Sequence, residues 1–532
     1  MKQSCQRLPR LATAAILFTV GGVGCSAALP SGSQAEPLRR ADSGNGNNGN
    51  GNNGNGNNGN GNHGGGGRIS TLEFQNANGT LRTYTDNPNV SLQATSTSVT
   101  PFFQSLGSNG RSCVHCHVPG DAWGLSAQTV AYRFTHPLDI TSVDCLSNIQ
   151  SCNSDPNPAS YGKTDPIFRL VDGSNSPTAD ISTPAARKRA FSMLLTKALI
   201  RVELPIPGNA EFDLIAVDDP YRYASARGLS LFRRPLPSAN LRLSPTSANP
   251  APQATLTAVM WDGRETLPQR DIIFDLMDQA NGATLGHAQA AAGLSAADRT
   301  AIVDFETGLH TAQSVDSSAG PLNANGATGG PDWLALNQPF YVGINDVLAG
   351  DAKTGAPFDP DVFTLYKAWE GSQDSGNAQI ARGEALFNRK PIAIRGVGGL
   401  NDALGVDTIA GHCTTCHDTP NYGHHSVKLP INIGTADAAR RTPDLPLYTL
   451  RNRQTGAVVQ TSDPGRALIS GKWADVGKFK GPILRGLASR PPFFHNGMAA
   501  TLDEVVRFYD SRFAIGFTAQ ERADLAAFLA AL

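Results

Sequence analysis

Two five-residue segments concentrate the chemistry of this chain, Cys113-Val114-His115-Cys116-His117 and Cys413-Thr414-Thr415-Cys416-His417. Two thiols separated by two residues can add across the two vinyl groups of one porphyrin, and the His that follows reaches the iron from below. Each segment is therefore an attachment site and an axial ligand together. With 8 Cys and 11 His in 532 residues, chance supplies such a pattern on the order of 0.002 times per chain. A zinc site would want four ligands at close spacing, and neither segment has a second CxxC beside it. A thioredoxin-like redox pair is the other competing reading. The favoured one is two covalently bound haem c groups, held by Cys113 and Cys116 and by Cys413 and Cys416, with His117 and His417 on the irons.

Helices must wrap such groups, and the C-terminus supplies two. Thr501-x-x-Glu504 and Thr518-x-x-Glu521 are capping boxes, followed by Leu502, Val505 and Tyr509 and by Leu525, Phe528, Leu529 and Leu532 at helical spacing. The same periodicity would serve any helical core. Charged residues make up only 17% of the chain, while 55 Gly and 35 Pro break it into modest elements joined by long loops. A loop-rich, mainly α protein is the expectation. A net charge of −1 without a sustained basic run speaks against nucleic acid as a partner.

Lys2, Arg7 and Arg10 precede an apolar run from Leu11 to Val23 that is short for a membrane span and suits a signal peptide, taken as residues 1–28. The chain is thus expected in the periplasm or cell envelope. Gly22-Val23-Gly24-Cys25 resembles a lipobox with Gly where Leu is usual, so export ends either in cleavage near Ser26 or in a lipid tether on Cys25. Residues 29–68, mostly Gly and Asn from Gly44 to Gly67, have too little apolar surface to fold and read as a disordered linker. Cys145 and Cys152 are left over. An oxidising compartment permits a disulfide between them, contributing about 2 to 3 kcal/mol through loop closure; two idle thiols are the alternative.

Further segments extend the picture. Ser108 to Cys113 follows Phe102 and Phe103 and leads to Pro119; Met260-Trp261-Asp262-Gly263-Arg264 comes next; then Gly383 to Phe387, Cys413 to Pro420, Asp463-Pro464-Gly465-Arg466, and Phe479 through Tyr509 with Phe493-Phe494-His495-Asn496-Gly497. Together they resemble the bacterial dihaem cytochrome c peroxidase and MauG family. The likeness covers the C-terminal part well and fades between Pro119 and Trp261. It implies two cytochrome c-like haem domains, at 69–372 with a large insertion at about 120–249 and at 373–532.

The resemblance also implies roles. The N-terminal haem would meet peroxide, the C-terminal haem would store or relay an electron, and Trp261 would lie between them. Counting from Trp261, the family's Gln falls at Gln269 or Gln279 and its catalytic Glu at Gln279 or Gln289, and neither Gln is acidic. His287 is the nearest alternative proton handler, ahead of Asp278 and Glu306, although a His hydrogen-bonded to backbone is the ordinary state of such a residue. Arg227 to Thr257 contains no His, so the family's distal ligand has no counterpart and the first iron is open. For the second iron, the family's register lands on Tyr509, with His495 as the alternative; His495 can equally bond a propionate and Tyr509 can be helix core. The family's calcium ion meets a departure, because Arg490 replaces the Thr that precedes Pro492.

The leading expectation is an exported dihaem oxidoreductase that reduces hydrogen peroxide, or uses it to oxidise a periplasmic electron donor or organic substrate. A non-catalytic dihaem electron carrier is the alternative from another class. A dihaem dioxygenase is the third, since dihaem rubber oxygenases have a similar long architecture. Replacing Cys113 and Cys116 together by Ala is expected to leave one haem per chain in a pyridine haemochrome assay; two remaining would refute the attachment.

Overall fold

The computed structural model describes residues 70–85, 87, 90, 92, 100–136, 162–243, 259–265, 272–337, 340–426 and 430–532. The signal segment, the Gly/Asn tract, Cys25, Cys145, Cys152 and Gln269 lie outside these residues. The chain divides into units Met1–Gly64 and Gly65–Leu532; all described residues belong to the second.

A hairpin opens that unit, β1 (Ser70–Asn76) with β2 (Gly79–Thr85). Gly79 sits at φ 130°, and a Cβ there would come within 2.2 Å of the Val315 carbonyl oxygen, so only glycine suits the turn. After α1 (Ala127–Thr135), α2 (Pro184–Ala190) and α3 (Ser192–Lys197) come β3 (Ile200–Leu204), β4 (Phe212–Asp218) and β5 (Leu229–Arg233), with β3 and β5 paired antiparallel. Then follow α4 (Ile272–Gly286), α5 (Ala296–Thr307), β6 (His310–Asp316) and β7 (Gly320–Pro321), which extend the first hairpin into a sheet of order β1-β2-β6-β7.

The C-terminal part begins with α6 (Ser375–Arg389). The pair β8 (Ile392–Arg395) and β9 (Thr408–Gly411) leads directly into Cys413. β10 (Leu447–Asn452) and β11 (Val458–Thr461) follow, and β10 is the centre of a sheet whose other edge is β4. The expected insertion is therefore stitched to the C-terminal part. The chain closes with α7 (Leu502–Phe513) and α8 (Ala519–Ala530). Thr501 caps α7 by accepting from Glu504 N–H, while Glu504 takes the Ala500 N–H; at α8 the Thr518–Glu521 box is complete. α8 crosses α6 at Gly383, where a Cβ would lie 2.1 Å from the Asp524 carbonyl oxygen. Leu525, Phe528 and Leu532 are buried against Phe363, Tyr366 and Phe387.

The fold is mixed rather than mainly α. The strands escaped the sequence reading because their partners are remote: β2 pairs with β6 and β4 with β10, across more than half the described chain in the second case. Neither pairing is announced by a turn signal.

Two buried, ion-paired arginines tie these elements to the segments that carry chemistry. Arg133 on α1 forks onto Asp165 at 2.7 and 2.8 Å and donates to the His115 carbonyl at 2.8 Å, fixing the first Cys turn. Arg233 at the end of β5 forks onto Asp463 at 2.7 and 2.9 Å and donates to Asp262 at 2.5 Å. Removing one partner of a buried pair leaves charge unmatched, so Arg233→Met is expected to lower stability by roughly 3 to 5 kcal/mol. Denaturant unfolding measures this, and Arg233→Lys should recover part of the loss.

Candidate functional site

Both Cys motifs fold as a single 3-10 turn. Cys116 and His117 donate their N–H groups to the Cys113 carbonyl at 3.1 and 3.0 Å, and Cys416 and His417 do the same to Cys413, each at 3.2 Å. His115 Nδ1 accepts from Ser112 N–H at 3.0 Å, and Thr415 Oγ1 accepts from His412 N–H at 2.9 Å, so a side chain closes each turn. His117 Nδ1 donates to the Trp123 carbonyl at 3.2 Å, and His417 Nδ1 to the Gly423 carbonyl at 2.6 Å. That bond sets the tautomer and leaves Nε2 with its lone pair, the state a metal requires. Trp123 is itself anchored through Nε1 to Thr83 Oγ1 on β2 at 2.9 Å. The first sheet thereby orients the first imidazole.

Burial pushes His117 down to about 4 and holds His417 below the usual imidazole range. It pushes all four thiols up, Cys413 and Cys416 to about 12. A dithiol redox centre works through an accessible thiolate. The four thiols are half-buried, none of them is in a disulfide, and their surroundings favour the protonated form, which is not the working state of such a centre.

Each turn opens onto a cavity. The first has an empty volume of about 1680 Å³ counting its mouth, and its wall includes Cys113, Cys116, His117, Ile167, Val202 and Leu276. The second, of about 1540 Å³ on the same measure, includes Cys413, Cys416, His417, Ile431, Phe493 and Leu529. Arg234, Pro235, Trp261 and Lys480 line both. Arg234 Nε and Arg490 Nε are buried without a hydrogen-bond partner. Burial lowers Lys480 to about 8 and Arg490 to about 10, and burial with Arg490 alongside lowers Arg234 to about 9. Asp121, the carboxylate near Arg234, is spent on Ser126 N–H and Thr129 Oγ1. Unpaired buried cations at a shared apolar wall call for anions. A porphyrin with two propionates in each cavity would supply them, so the residues present fit haem on both sides.

The structure places the other expected residues as follows. Trp261 stands in the shared wall, its Nε1 donating to the Arg234 carbonyl at 2.8 Å, its carbonyl accepting from Lys480 N–H at 2.8 Å, and its ring centred 6.1 Å from His495. Gln279, His287 and Glu306 line the first cavity; Asp278 and Gln289 are not among its lining residues. Gln289 is instead exposed, with φ 55°, its carbonyl accepting from Ser108 N–H and Oγ and its side chain from Asn109 Nδ2 at 3.3 Å. It braces the loop before Cys113. His287 Nδ1 donates to Asp172 Oδ2 at 2.7 Å. Glu306 is buried, its Oε2 has no partner, and burial pushes its pKa up to about 8.

In the second cavity, His495 is buried and stacked on Phe479 at 4.1 Å, burial lowers it to about 4, and its Nε2 has no partner. Tyr509 lines the same cavity among Phe494, Phe508 and Phe513, and burial pushes its phenol up. Arg490 donates from Nη2 to the Ile483 carbonyl at 2.6 Å and to Arg485 at 3.4 Å. Among the described residues no group of three or more His, Cys, Asp or Glu stands together to hold a metal ion such as calcium. Sequence reasoning did not single out Asp172, Arg234 or Lys480. Lys480 lies within the Phe479–Tyr509 segment, but no motif or period marks Asp172 or Arg234, because their charges acquire meaning only at the cavity walls.

No protein-family model matches the chain. Cytochrome-c peroxidase IdrP1 of Denitromonas iodatirespirans is 29% identical to it over 222 residues, 38% of this chain and 51% of that protein. Cytochrome-c peroxidase IdrP2 of the same organism is 33% identical over 141 residues, 25% of this chain and 38% of that protein. IdrP1 of Pseudomonas sp. (strain SCT) is 28% identical over 228 residues, with 38% and 51% covered. The chain spans about half the length, or less, of these relatives. The likenesses support a cytochrome c peroxidase-like family.

Glu306 offers a test of the first cavity. Its folded pKa is raised from 4.5 to about 8, so the stability it contributes is full below pH 4.5 and is lost as pH climbs to about 8. Glu306→Gln cannot ionise. Denaturant unfolding of both proteins is expected to show wild type losing ground to the variant between pH 4.5 and 8.5.

Proposed function

We propose that this protein is an exported dihaem c-type oxidoreductase of the peroxidase kind, with the first cavity reducing peroxide and the second passing electrons to it. The reading carries forward the N-terminal and C-terminal haem domains at 69–372 and 373–532, and a periplasmic or envelope location with or without a lipid on Cys25. The relatives named above support peroxide as the oxidant. The observation that carries the division of labour is the difference between the two walls. The first presents an imidazole, a carboxamide and a neutral carboxyl, from His287, Gln279 and Glu306. The second has no carboxyl or carboxamide side chain among its described lining residues, and its ligand-capable groups beside His417 are His412, His495 and Tyr509.

Haem, when bound, supplies the iron that exchanges electrons with peroxide. Reduction of one H2O2 consumes two electrons and two protons and yields two waters. The chain's part is to place and protonate the peroxide. Gln279 can orient it by hydrogen bonding, and His287 can move a proton between its oxygens. Glu306, protonated at neutral pH, is a second acid on the same wall. Proton handling of this kind contributes about 10² to 10⁴ in rate. The electrons come singly from a periplasmic donor protein or organic reductant and cross the wall that Trp261 occupies. His495, with an unpartnered Nε2, and Tyr509 are the two residues of that wall that would hold the second iron together with His417.

Stopped-flow absorbance on half-reduced protein tests the scheme. Peroxide should oxidise the second haem in wild type, and Trp261→Phe should keep both haems yet slow that oxidation. If wild type reacts with neither peroxide nor any added iron ligand, the protein is an electron carrier.

A further inference from the structure

The contact that reaches beyond this reading joins His287 to Asp172, 115 residues away in the chain. We propose that Asp172 is the positioning residue of His287, the two forming a carboxylate–imidazole pair that aims a basic Nε2 into the first cavity. The inference rests on His287 being the group that handles peroxide protons.

His287 follows the last residue of α4, and its N–H still donates to the Ala283 carbonyl at 2.8 Å. Its Nδ1 donates to Asp172 Oδ2 at 2.7 Å, so the neutral ring keeps its proton on Nδ1 and its lone pair on Nε2. Both side chains line the cavity that holds His117. The charged and titratable groups around the pair are Arg111 at 3.9 Å from the same carboxylate oxygen, His117, Cys113 and Cys116, and on the cavity wall Glu306, Arg233, Arg234, Arg264 and Lys480.

An incidental ion pair at a cavity mouth would need no further support, since the two side chains are 36% and 17% exposed. This pair is held from both ends by one residue. Arg111, buried two positions before Cys113, donates to the carbonyls of Pro166 at 2.9 Å, Ile167 at 3.0 Å and Val171 at 2.7 Å, which shapes the loop that presents Asp172. The same guanidinium donates to the His287 carbonyl at 3.1 Å, joined by Asn109 Nδ2 at 2.8 Å. The loop holds Asp172 at φ 61°, a conformation unfavourable for a residue with a Cβ and retained where the surroundings enforce it. Arg111 thus locks the pair in register with the Cys113 turn. A carboxylate behind an imidazole fixes the tautomer and stabilises the imidazolium that forms when Nε2 takes a proton.

The pair then works as a relay. Nε2 takes the proton from one peroxide oxygen and returns it to the other as the O–O bond breaks and that oxygen leaves as water. The dyad ends with the protons it began with, and the two electrons are those of the peroxidase reaction proposed above.

The test uses holoprotein with both haems and variants Asp172→Asn, Asp172→Glu and His287→Gln. Asn tolerates the left-handed backbone, so Asp172→Asn removes the charge without disturbing the loop, and haem content with denaturant midpoint checks this. Two readouts are followed: the peroxide reaction, and the association of cyanide, which arrives as HCN and must lose a proton. Asp172→Asn should slow both by roughly tenfold to a hundredfold. Asp172→Glu should restore part of both rates, and His287→Gln should slow both at least as much as Asp172→Asn.

Rates that fall in His287→Gln but stay at the wild-type level in Asp172→Asn would overturn the positioning role and leave His287 standing. Unchanged rates in His287→Gln would sink the reading of His287 itself. Low-spin iron in the first cavity that becomes high-spin in His287→Gln would make His287 a ligand and overturn the relay.

Discussion

The buried guanidinium of Arg233 is the constraint on which the arrangement of the two cavities depends. It meets two carboxylates from distant segments, Asp262 beside Trp261 and Asp463 at the start of a turn. Burial works against both charges, yet Arg233 and the backbone N–H of Arg264 hold Asp262 below the usual carboxylate range. Asp463 also accepts from Gly465 N–H at 2.8 Å, and Arg466 beyond that turn donates to the carbonyls of Asp262 and Gly263. Three pieces of chain therefore move as one. A buried pair is tolerated only when its remaining hydrogen-bonding capacity is filled, and here the groups that fill it belong to the wall between the cavities.

From that anchor the wall follows residue by residue. β5 runs into Arg234, whose carbonyl takes the Trp261 indole N–H and whose own N–H donates to the His495 carbonyl at 2.8 Å. Lys480 closes the other side through its bond to the Trp261 carbonyl. The indole is held at both ends of its residue, which suits a group that would stay at one distance from the two proposed haems. The same wall carries cations without carboxylates to match them. The proposed haems would complete it, so occupation of the cavities and stability of the wall are one problem in electrostatics.

The segment between the first Cys motif and Trp261 has a definite part in this. It provides Ile167, Asp172, Ile200 and Val202 to the first cavity, and through β4 it joins the sheet centred on β10. A stretch that looked like an insertion is wall on one side and brace on the other. The Asp172–His287 contact belongs to the wall, and Arg111 couples it to the Cys113 turn.

What the residues alone determined is what depends on near neighbours. Thioether spacing and the adjacent His lie within one turn, so both proposed attachment sites could be read from Cys113 to His117 and from Cys413 to His417. Capping and helical period also act within a few residues, and α7 and α8 were readable down to Thr501 and Thr518. Only the tertiary structure decided matters that join remote segments. It put Gln289 on a brace outside the cavity, placed the unpartnered carboxyl of Glu306 on its wall, set Asp172 behind His287, and paired β4 with β10. A side chain's partner and its dielectric surroundings are properties of the folded chain, and neither spacing nor periodicity encodes which distant residue will arrive beside it.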